Sequence, residues 1–268
     1  MTTTLLQLVE LDDPIHAALH IAKLFNPDMD VDYYRTELAA RVNESRNRVT
    51  ACENTLRNFK QFLQSFYTEQ LFTPGNSENV ASRLCLIDQV LDFRSGISVS
   101  LAIIVSHIAT RLGFDVKGIN FPGHFLLSLE LAHQRRYFID PLTGHFLTYQ
   151  QLESLYTVLT DEEEMEAEQL EFSSTRSTVI RLLNNLKVAF MDEQKYAQAL
   201  HCVDMLIELC PDDPYERRDR GFLLHQLQCF QVALADYKYF IRQCPKDPAA
   251  QLLKLQLRHI EPIPVVLH

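Results

Sequence analysis

Two residues in the middle of the chain have the types and spacing of a histidine–carboxylate pair. His124 follows a Pro-Gly turn in the sequence FPGHF, and Asp140 stands 16 residues later in FIDP. Each borders a strand-like segment, so two strands joined by a short turn would bring them side by side. A carboxylate that accepts a hydrogen bond from one ring nitrogen fixes the tautomer and orientation of the imidazole, as a general base requires. His124 and Asp140 are therefore the candidate catalytic residues.

Other polar residues near this pair give weaker signals. Arg94 lies next to Gly96, and we expect it to hold the start of a helix in preference to pairing with a buried carboxylate. His107 lies on an apolar helix and is expected in the core or at an interface. His145 is close enough in sequence to Asp140 to share its cleft.

Neither the other histidines nor the cysteines form a metal-binding pattern. His16 and His20 stand four residues apart, but no acidic or cysteine partner has a compatible spacing, so we expect them on a helix surface. No C-x-x-C pair is present. The sequence therefore predicts no metal and no cofactor, and it indicates reduced, mostly buried thiols in a cytosolic protein. The cysteines are Cys52, Cys85, Cys202, Cys210, Cys229 and Cys244.

The composition favours a mostly helical globular protein. Only 7 glycines occur in 268 residues, whereas hydrophobic residues make up 47% of the chain. No apolar run approaches the length of a membrane span, and the opening MTTTLLQLVELDD has no basic leader of a secretory signal. The net charge of −10 argues against a nucleic-acid partner, because phosphate binding depends on clustered Lys and Arg.

Hydrophobic spacing predicts helices over residues 12–72. Pro14 fits the first turn of one helix, and Asp30 or Asp32 fits the N-cap of a second. A third helix is predicted from about Glu44 to Phe66.

The segment around the histidine–carboxylate pair has a different character. Ser98 or Ser100 opens an apolar helix that ends at Gly113, and Thr148 with Gln151 fits a capping box for another helix. Between these helices the sequence predicts a small antiparallel sheet, so the fold class is α+β and mostly helical. The predicted strands are Val116–Phe121, Phe125–Leu129 and Tyr137–Ile139.

The C-terminal part contains an internal repeat. CPDDP at 210–214 recurs as CPKDP at 244–248, and the same offset of 34 relates Ala199 to Ala233. A period of 34 with a small residue where two helices touch and a closing proline is the tetratricopeptide pattern. The repeated Asp-Pro pairs each fit an N-cap and first turn, so each starts a helix.

A run of acidic residues over 161–171 divides the chain. We predict an N-terminal helical region at 1–78, a core at 79–158 and an acidic linker at 159–175. Two tetratricopeptide repeats and a capping helix are predicted over 176–268.

The core segment resembles the transglutaminase-like core of the SirB family. FRSGISVSLAII, FPGHFLLSL and YFIDPLTGHFLT follow the order and spacing of that family between Leu86 and Tyr149. These bacterial proteins join a helical N-terminal region to the core and often add tetratricopeptide repeats, so the resemblance covers nearly the whole chain. It implies a papain-like fold in which a transglutaminase uses Cys, His and Asp.

The resemblance places His124 and Asp140 on the family's His and Asp. The nucleophilic Cys position falls at about Ser98, and its loss is common in SirB-type proteins. In one hypothesis Ser98 or Ser100 attacks an acyl group, with His124 as base and Asp140 orienting it. In the other, which we favour, the His–Asp pair stiffens the sheet or binds a ligand, and Ser98 is a helix N-cap.

These observations lead to one main hypothesis and one alternative. The main hypothesis is a cytosolic interaction or regulatory protein that has lost its nucleophile and binds a protein or peptide through its tetratricopeptide region. The alternative is a hydrolase or acyltransferase that acts on amide or ester bonds.

Overall fold

A computed structural model describes residues 4–49, 55–75, 80–131, 135–162 and 164–260. The chain forms two compact units, Met1–Ala189 and Phe190–His268. This division does not coincide with the boundaries predicted at 78/79 and within 159–175. Cys52 lies outside the described residues.

The first unit is built mainly of helices. A π-helical turn, Ser65–Glu69, follows α4 directly, and short 3-10 turns lie at Ser82–Leu84 and Ala167–Leu170. The α-helices are α1 (Leu5–Val9), α2 (Pro14–Phe25), α3 (Val31–Arg48), α4 (Leu56–Gln64), α5 (Ile87–Phe93), α6 (Ser98–Arg111), α7 (Tyr149–Thr160) and α8 (Thr175–Asp192), the last belonging to this unit as far as Ala189.

Side-chain caps explain where several helices begin. Asp13 and Asp30 cap α2 and α3, and Thr148 forms the predicted capping box with Gln151 at the start of α7. The single helix predicted from Glu44 to Phe66 is wrong. The structure has α3 ending at Arg48, a separate α4 capped by Thr55, and then the π-helical turn.

The strands form two sheets. In the smaller, β1 (Thr73–Pro74) pairs in parallel with β2 (Ser95–Gly96). The larger is antiparallel in the order β3-β4-β5-β6, with register Leu127↔Ile139 between its two central strands. The predicted three-stranded sheet is confirmed, and a fourth short strand is added. The four strands are β3 (Asp115–Ile119), β4 (Leu126–Leu131), β5 (Arg135–Ile139) and β6 (Phe146–Leu147).

Helix α6 lies at the centre of the first unit. It packs against β3 and β4 and also against α2, α3 and α5. Because other elements pack against α6 on several sides, its buried apolar residues are not confined to one face. The buried apolar residues are Val99, Leu101, Ala102, Ile103, Ile104, Val105, Ile108 and Ala109. A helix held on several sides gives a fixed position to the residues at its first turn.

The second unit has the predicted tetratricopeptide-like helices. Asp213 caps α10 and Asp247 accepts a hydrogen bond from the amide of Ala249 at the start of α12, as the repeat predicted. Gly221 on α10 lies against Tyr237, whose ring would be 2.8 Å from an added Cβ, so glycine permits close helix packing. The helices are α9 (Tyr196–Leu209), α10 (Pro214–Gln226), α11 (Phe230–Gln243) and α12 (Pro248–Ile260).

The helices of the described residues also bear on the membrane question. None of them combines the length and the apolar character needed to cross a bilayer.

The five cysteines in the described residues form no disulfide, and Cys85 and Cys202 are buried.

Candidate functional site

His124 and Asp140 lie at the same end of the antiparallel sheet. His124 precedes β4 and Asp140 directly follows β5, the strand paired with β4. The Nε2 atom of His124 is 3.0 Å from Oδ1 of Asp140. The strand pairing therefore brings together two residues 16 positions apart.

The Asp140 carboxylate is held by the turn that follows it. Its Oδ1 accepts a hydrogen bond from the amide of Leu142 at 2.9 Å, and its Oδ2 accepts one from the hydroxyl of Thr143 at 3.0 Å. Burial alone would raise the pKa of this carboxyl group. The bonds from His124, Leu142 and Thr143 outweigh burial and leave the pKa below its ordinary value, so the group is a carboxylate at neutral pH.

This geometry fixes which nitrogen of His124 is available for chemistry. Asp140 occupies Nε2, so Nδ1 is the atom that remains to exchange a proton. The side chains are 17% and 21% exposed for His124 and Asp140, respectively, so a ligand can reach the edge of the pair. The pair has the polarity and orientation of a general base with its orienting carboxylate.

Ser98 is brought close to this pair. It is the first residue of α6, and its Oγ accepts a hydrogen bond of 3.3 Å from the amide of Phe125, the residue after His124. Among the described residues, no hydrogen bond joins Ser98 to His124. The N-cap of α6 is Ile97, so the prediction that Ser98 serves as the N-cap is wrong.

Ser100 has a different environment. Its side chain is fully buried and donates to the carbonyl oxygen of Leu84 at 2.7 Å. Its Oγ also accepts from the amide of Ile97 at 3.0 Å. These bonds fasten the first turn of α6 and leave the hydroxyl closed to a substrate, so Ser100 is not brought together with His124.

The two other residues predicted near the pair make hydrogen bonds with backbone groups. His145 is exposed, and its carbonyl oxygen accepts from the amide of Asp140 at 2.9 Å. Arg94 ends α5 with a left-handed φ of 52° and donates to the carbonyl oxygen of Gln70 at 2.9 Å. It has a structural role, as favoured from the sequence, and its guanidinium bonds to a backbone carbonyl oxygen and not to a carboxylate.

A second histidine–aspartate pair joins α6 to the start of α2. Nδ1 of His107 is 3.1 Å from Oδ2 of Asp13, the residue that caps α2. His107 is only 9% exposed, as predicted for a core histidine. His16 is 3.7 Å from the same Asp13 oxygen. In the described part of the chain, no three His, Cys, Asp or Glu side chains form a group able to hold a metal ion.

Sequence reasoning missed residues that shape the site. The hydroxyl of Tyr67 donates to the carbonyl oxygen of Pro141 at 2.7 Å, and burial raises the pKa of Tyr67 above its ordinary value. Tyr67, Thr143 and His145 line a cavity of about 280 Å³ beside the turn that follows Asp140; neither Asp140 nor His124 is among the residues that line it. An aspartate that bonds to the backbone two residues later is a common turn, so the sequence Asp140-Pro141-Leu142-Thr143 could have indicated the role of Thr143. Nothing in the local sequence indicated Tyr67.

Comparison with known proteins agrees with this architecture. A family model described as transglutaminase-like superfamily matches residues 32–184, and one described as tetratricopeptide repeat matches residues 186–258. No solved structure matches the chain.

Relatives cover nearly the whole chain. A UPF0162 protein of Vibrio cholerae is 37% identical over 91% of this chain and 90% of its own length. Protein SirB1 of Salmonella typhimurium is 30% identical over 92% of each chain, and UPF0162 protein YchA of Escherichia coli is 30% identical over 90% of this chain and 89% of its own. The chain therefore belongs to the transglutaminase-like superfamily, has a tetratricopeptide-repeat region after that domain, and is related over nearly its whole length to SirB1 and UPF0162 proteins.

Proposed function

We propose that this protein is a cytoplasmic interaction module in which the tetratricopeptide-like unit binds a peptide segment of a partner protein and the transglutaminase-like unit does not catalyse. The observation that carries the non-catalytic part is the hydrogen bonding of Ser98. Its Oγ accepts the amide of Phe125, and within the described residues it has no bond to His124. A serine hydroxyl is a weak nucleophile without an aligned base, so this arrangement supports binding over turnover.

The bonding of Asp140 supports the same proposal. Its carboxylate ties His124 to the turn at Leu142 and Thr143, which joins the start of β4 to the end of β5. Such a set of bonds stabilises this end of the sheet whether or not a reaction takes place. It gives a structural reason for His124 and Asp140 to occur together without a nucleophile. The five cysteines of the described residues form no disulfide, which supports a reducing compartment such as the cytoplasm.

The exposed face of α10 is the proposed peptide-binding surface. Phe222 is 40% exposed, and Arg218 lies over the ring of Tyr215 at 5.2 Å. These residues recur at three- and four-residue intervals, so they lie on one side of the helix. Aromatic and arginine side chains are the types that contribute most to protein interfaces.

Binding is tested by affinity capture with the full-length protein from a lysate of the organism that produces it. We expect Phe222→Ala to lower the recovery of a specific partner at least fivefold. Val232→Ala on α11 is the matched control, because Val232 is also apolar and 54% exposed but lies on the other helix of the hairpin. Equal recovery by the wild type and both variants would count against the α10 face.

The second candidate function is acyl transfer by Ser98, and it has a specific observation in its favour. Ser98 Oγ lies within hydrogen-bonding distance of the residue after His124. In this scheme Ser98 attacks the acyl carbon, and His124 takes the hydroxyl proton on Nδ1. Asp140 stabilises the resulting imidazolium, and the proton then passes to the leaving group.

Alkylation of a Ser98→Cys variant separates the two candidates. If His124 is aligned with position 98, the new thiol is activated, and iodoacetamide modifies Cys at that position at least tenfold faster at pH 7 than in the same variant carrying His124→Ala. The non-catalytic proposal expects equal rates in the two backgrounds. Peptide mass spectrometry assigns the label to position 98 and excludes the native cysteines.

A further inference from the structure

A cationic cavity lies among α2, α3 and α6, apart from the His124–Asp140 pair. It has a volume of about 340 Å³, within the range of small-molecule sites. Three arginines and two histidines line it, and none of its eleven described lining residues carries a carboxylate; one of the arginines, Arg35, pairs with Asp32 at 3.1 Å. The chain has a net charge of −10, so this concentration of basic groups departs from the overall charge of the molecule.

The basic groups of this cavity are incompletely neutralised. Arg46 donates to the carbonyl oxygen of Arg111 at 3.3 Å, which brings two guanidinium-bearing residues to one rim. Within the described residues, Arg46 has no carboxylate partner. Arg111 has Asp13 at 3.9 Å, and that carboxylate is already shared with His107 and lies 3.7 Å from His16. Like charges placed together favour the binding of an anion.

A histidine atom in the lining gives a second, independent indication. Nδ1 of His16 is shielded from solvent and accepts or donates no hydrogen bond within the described residues; the nearest carboxylate oxygen, Oδ2 of Asp13, is 3.7 Å away and beyond hydrogen-bonding distance. Buried polar atoms are bonded in the great majority of cases, so an atom left without a partner calls for an explanation. A ligand seated beside His16 would account for it.

The floor of the cavity is apolar. Leu19, Leu38 and Val42 line it together with the exposed methyl group of Ala39. A free inorganic anion would leave this floor uncovered. We propose that the cavity binds a small organic monoanion or phosphate ester, with its charged head at Arg46 and Arg111 and a short apolar body over the leucines.

The proposal is tested by calorimetric titration of the full-length protein with three probes: octanoate, phenyl phosphate and inorganic phosphate. We expect saturable binding at one site by octanoate or phenyl phosphate, and the tighter of the two identifies the head group as a carboxylate or a phosphate. Inorganic phosphate should bind at least tenfold more weakly because it cannot cover the apolar floor. Equal binding of inorganic phosphate, or no saturable binding of any probe, would overturn the proposal.

Three variants assign the binding to this cavity. Arg46→Gln with Arg111→Gln should weaken binding of the better probe at least tenfold, because both rim charges are lost. Ala39→Phe fills the cavity and should weaken it similarly without changing any charge. Arg48→Gln is the matched control, since Arg48 lies on the same helix but pairs with Glu69 outside the cavity. Wild-type affinity in the double variant, or an equal loss in the control, would refute the assignment.

Discussion

The first unit contains two histidine–aspartate pairs of nearly equal length in different surroundings. His124 and Asp140 are joined through Nε2 at 3.0 Å, whereas His107 and Asp13 are joined through Nδ1 at 3.1 Å. The first pair lies in a turn of the sheet beside Ser98. The second lies between two helices.

The comparison shows that the distance within such a pair does not determine its role. In both pairs burial raises the pKa of the aspartate, and the bond to histidine contributes to a net lowering. Both carboxylates also accept a backbone amide, from Leu142 at Asp140 and from Ile15 at Asp13. What differs is the remaining partner: Asp140 accepts the hydroxyl of Thr143, whereas Asp13 lies 3.9 Å from Arg111 and 3.7 Å from His16 and acts as a counter-ion.

The largest loss of stability is expected from Gly144→Ala, a change in the turn that follows Asp140. Gly144 has a φ of 72°, and an added Cβ would lie 2.5 Å from the Tyr67 ring. Left-handed strain of about 1 kcal/mol and overpacking of about 1–3 kcal/mol predict a loss of about 2–4 kcal/mol in the free energy of unfolding. Urea denaturation measures it.

Gly123→Ala is the matched control for that change. Its φ of 68° is similar, but the nearest atoms belong to the half-exposed side chain of Leu159, which can move aside. We expect a smaller loss, and an equal loss in the two variants would show that the Tyr67 contact does not brace the turn.

A smaller effect is expected from removing each aspartate. Asp140→Ala leaves three donors without an acceptor and should cost about 2–3 kcal/mol of unfolding free energy. Asp13→Ala removes a helix cap and one histidine bond and should cost about 1–2 kcal/mol. Asp28→Ala, at an exposed aspartate, is the control and should lie near zero. A larger loss of unfolding free energy for Asp13→Ala than for Asp140→Ala would mean that the His107–Asp13 pair contributes more to stability than the His124–Asp140 pair.

The smallest effect is expected on the pH dependence of the unfolding free energy when either aspartate is replaced by asparagine. Both aspartates have a pKa lowered from 3.8, so each stabilises the folded state above the unfolded pKa, and this contribution is lost as the pH falls through the folded pKa. Between pH 7 and pH 3, Asp140→Asn and Asp13→Asn should each lose less stability than the wild type, because neither variant has the carboxylate whose contribution disappears. Urea titrations at the two pH values measure it, and parallel losses in all three proteins would contradict it.

Much of the fold follows from local signals in the sequence. The caps at Asp13 and Asp30, the box at Thr148 and the helix end at Gly113 are set by residues within a turn of each other. The tetratricopeptide-like helices were predictable because residues of the same type recur at an offset of 34. The pairing of His124 with Asp140 was also predictable, because adjacent antiparallel strands connect them.

Contacts between distant segments were not predictable in the same way. The bond between His107 and Asp13 joins residues 94 positions apart, and no repeat or strand pairing in the sequence predicts it. The contact of Tyr67 with Pro141 is of the same kind. The separation of α3 from α4 was missed because apolar residues continue at helical spacing on both sides of the break.

The sequence separations of the two pairs also have a kinetic consequence. His124 and Asp140 close a loop of 16 residues within one hairpin, whereas His107 and Asp13 meet only after 94 residues have been brought together. We expect the hairpin pair to be formed in the folding transition state and the second pair afterwards, which φ-values of Asp140→Ala and Asp13→Ala would measure. The cationic cavity is then completed late, so a ligand that occupies it would slow unfolding and leave the folding rate nearly unchanged.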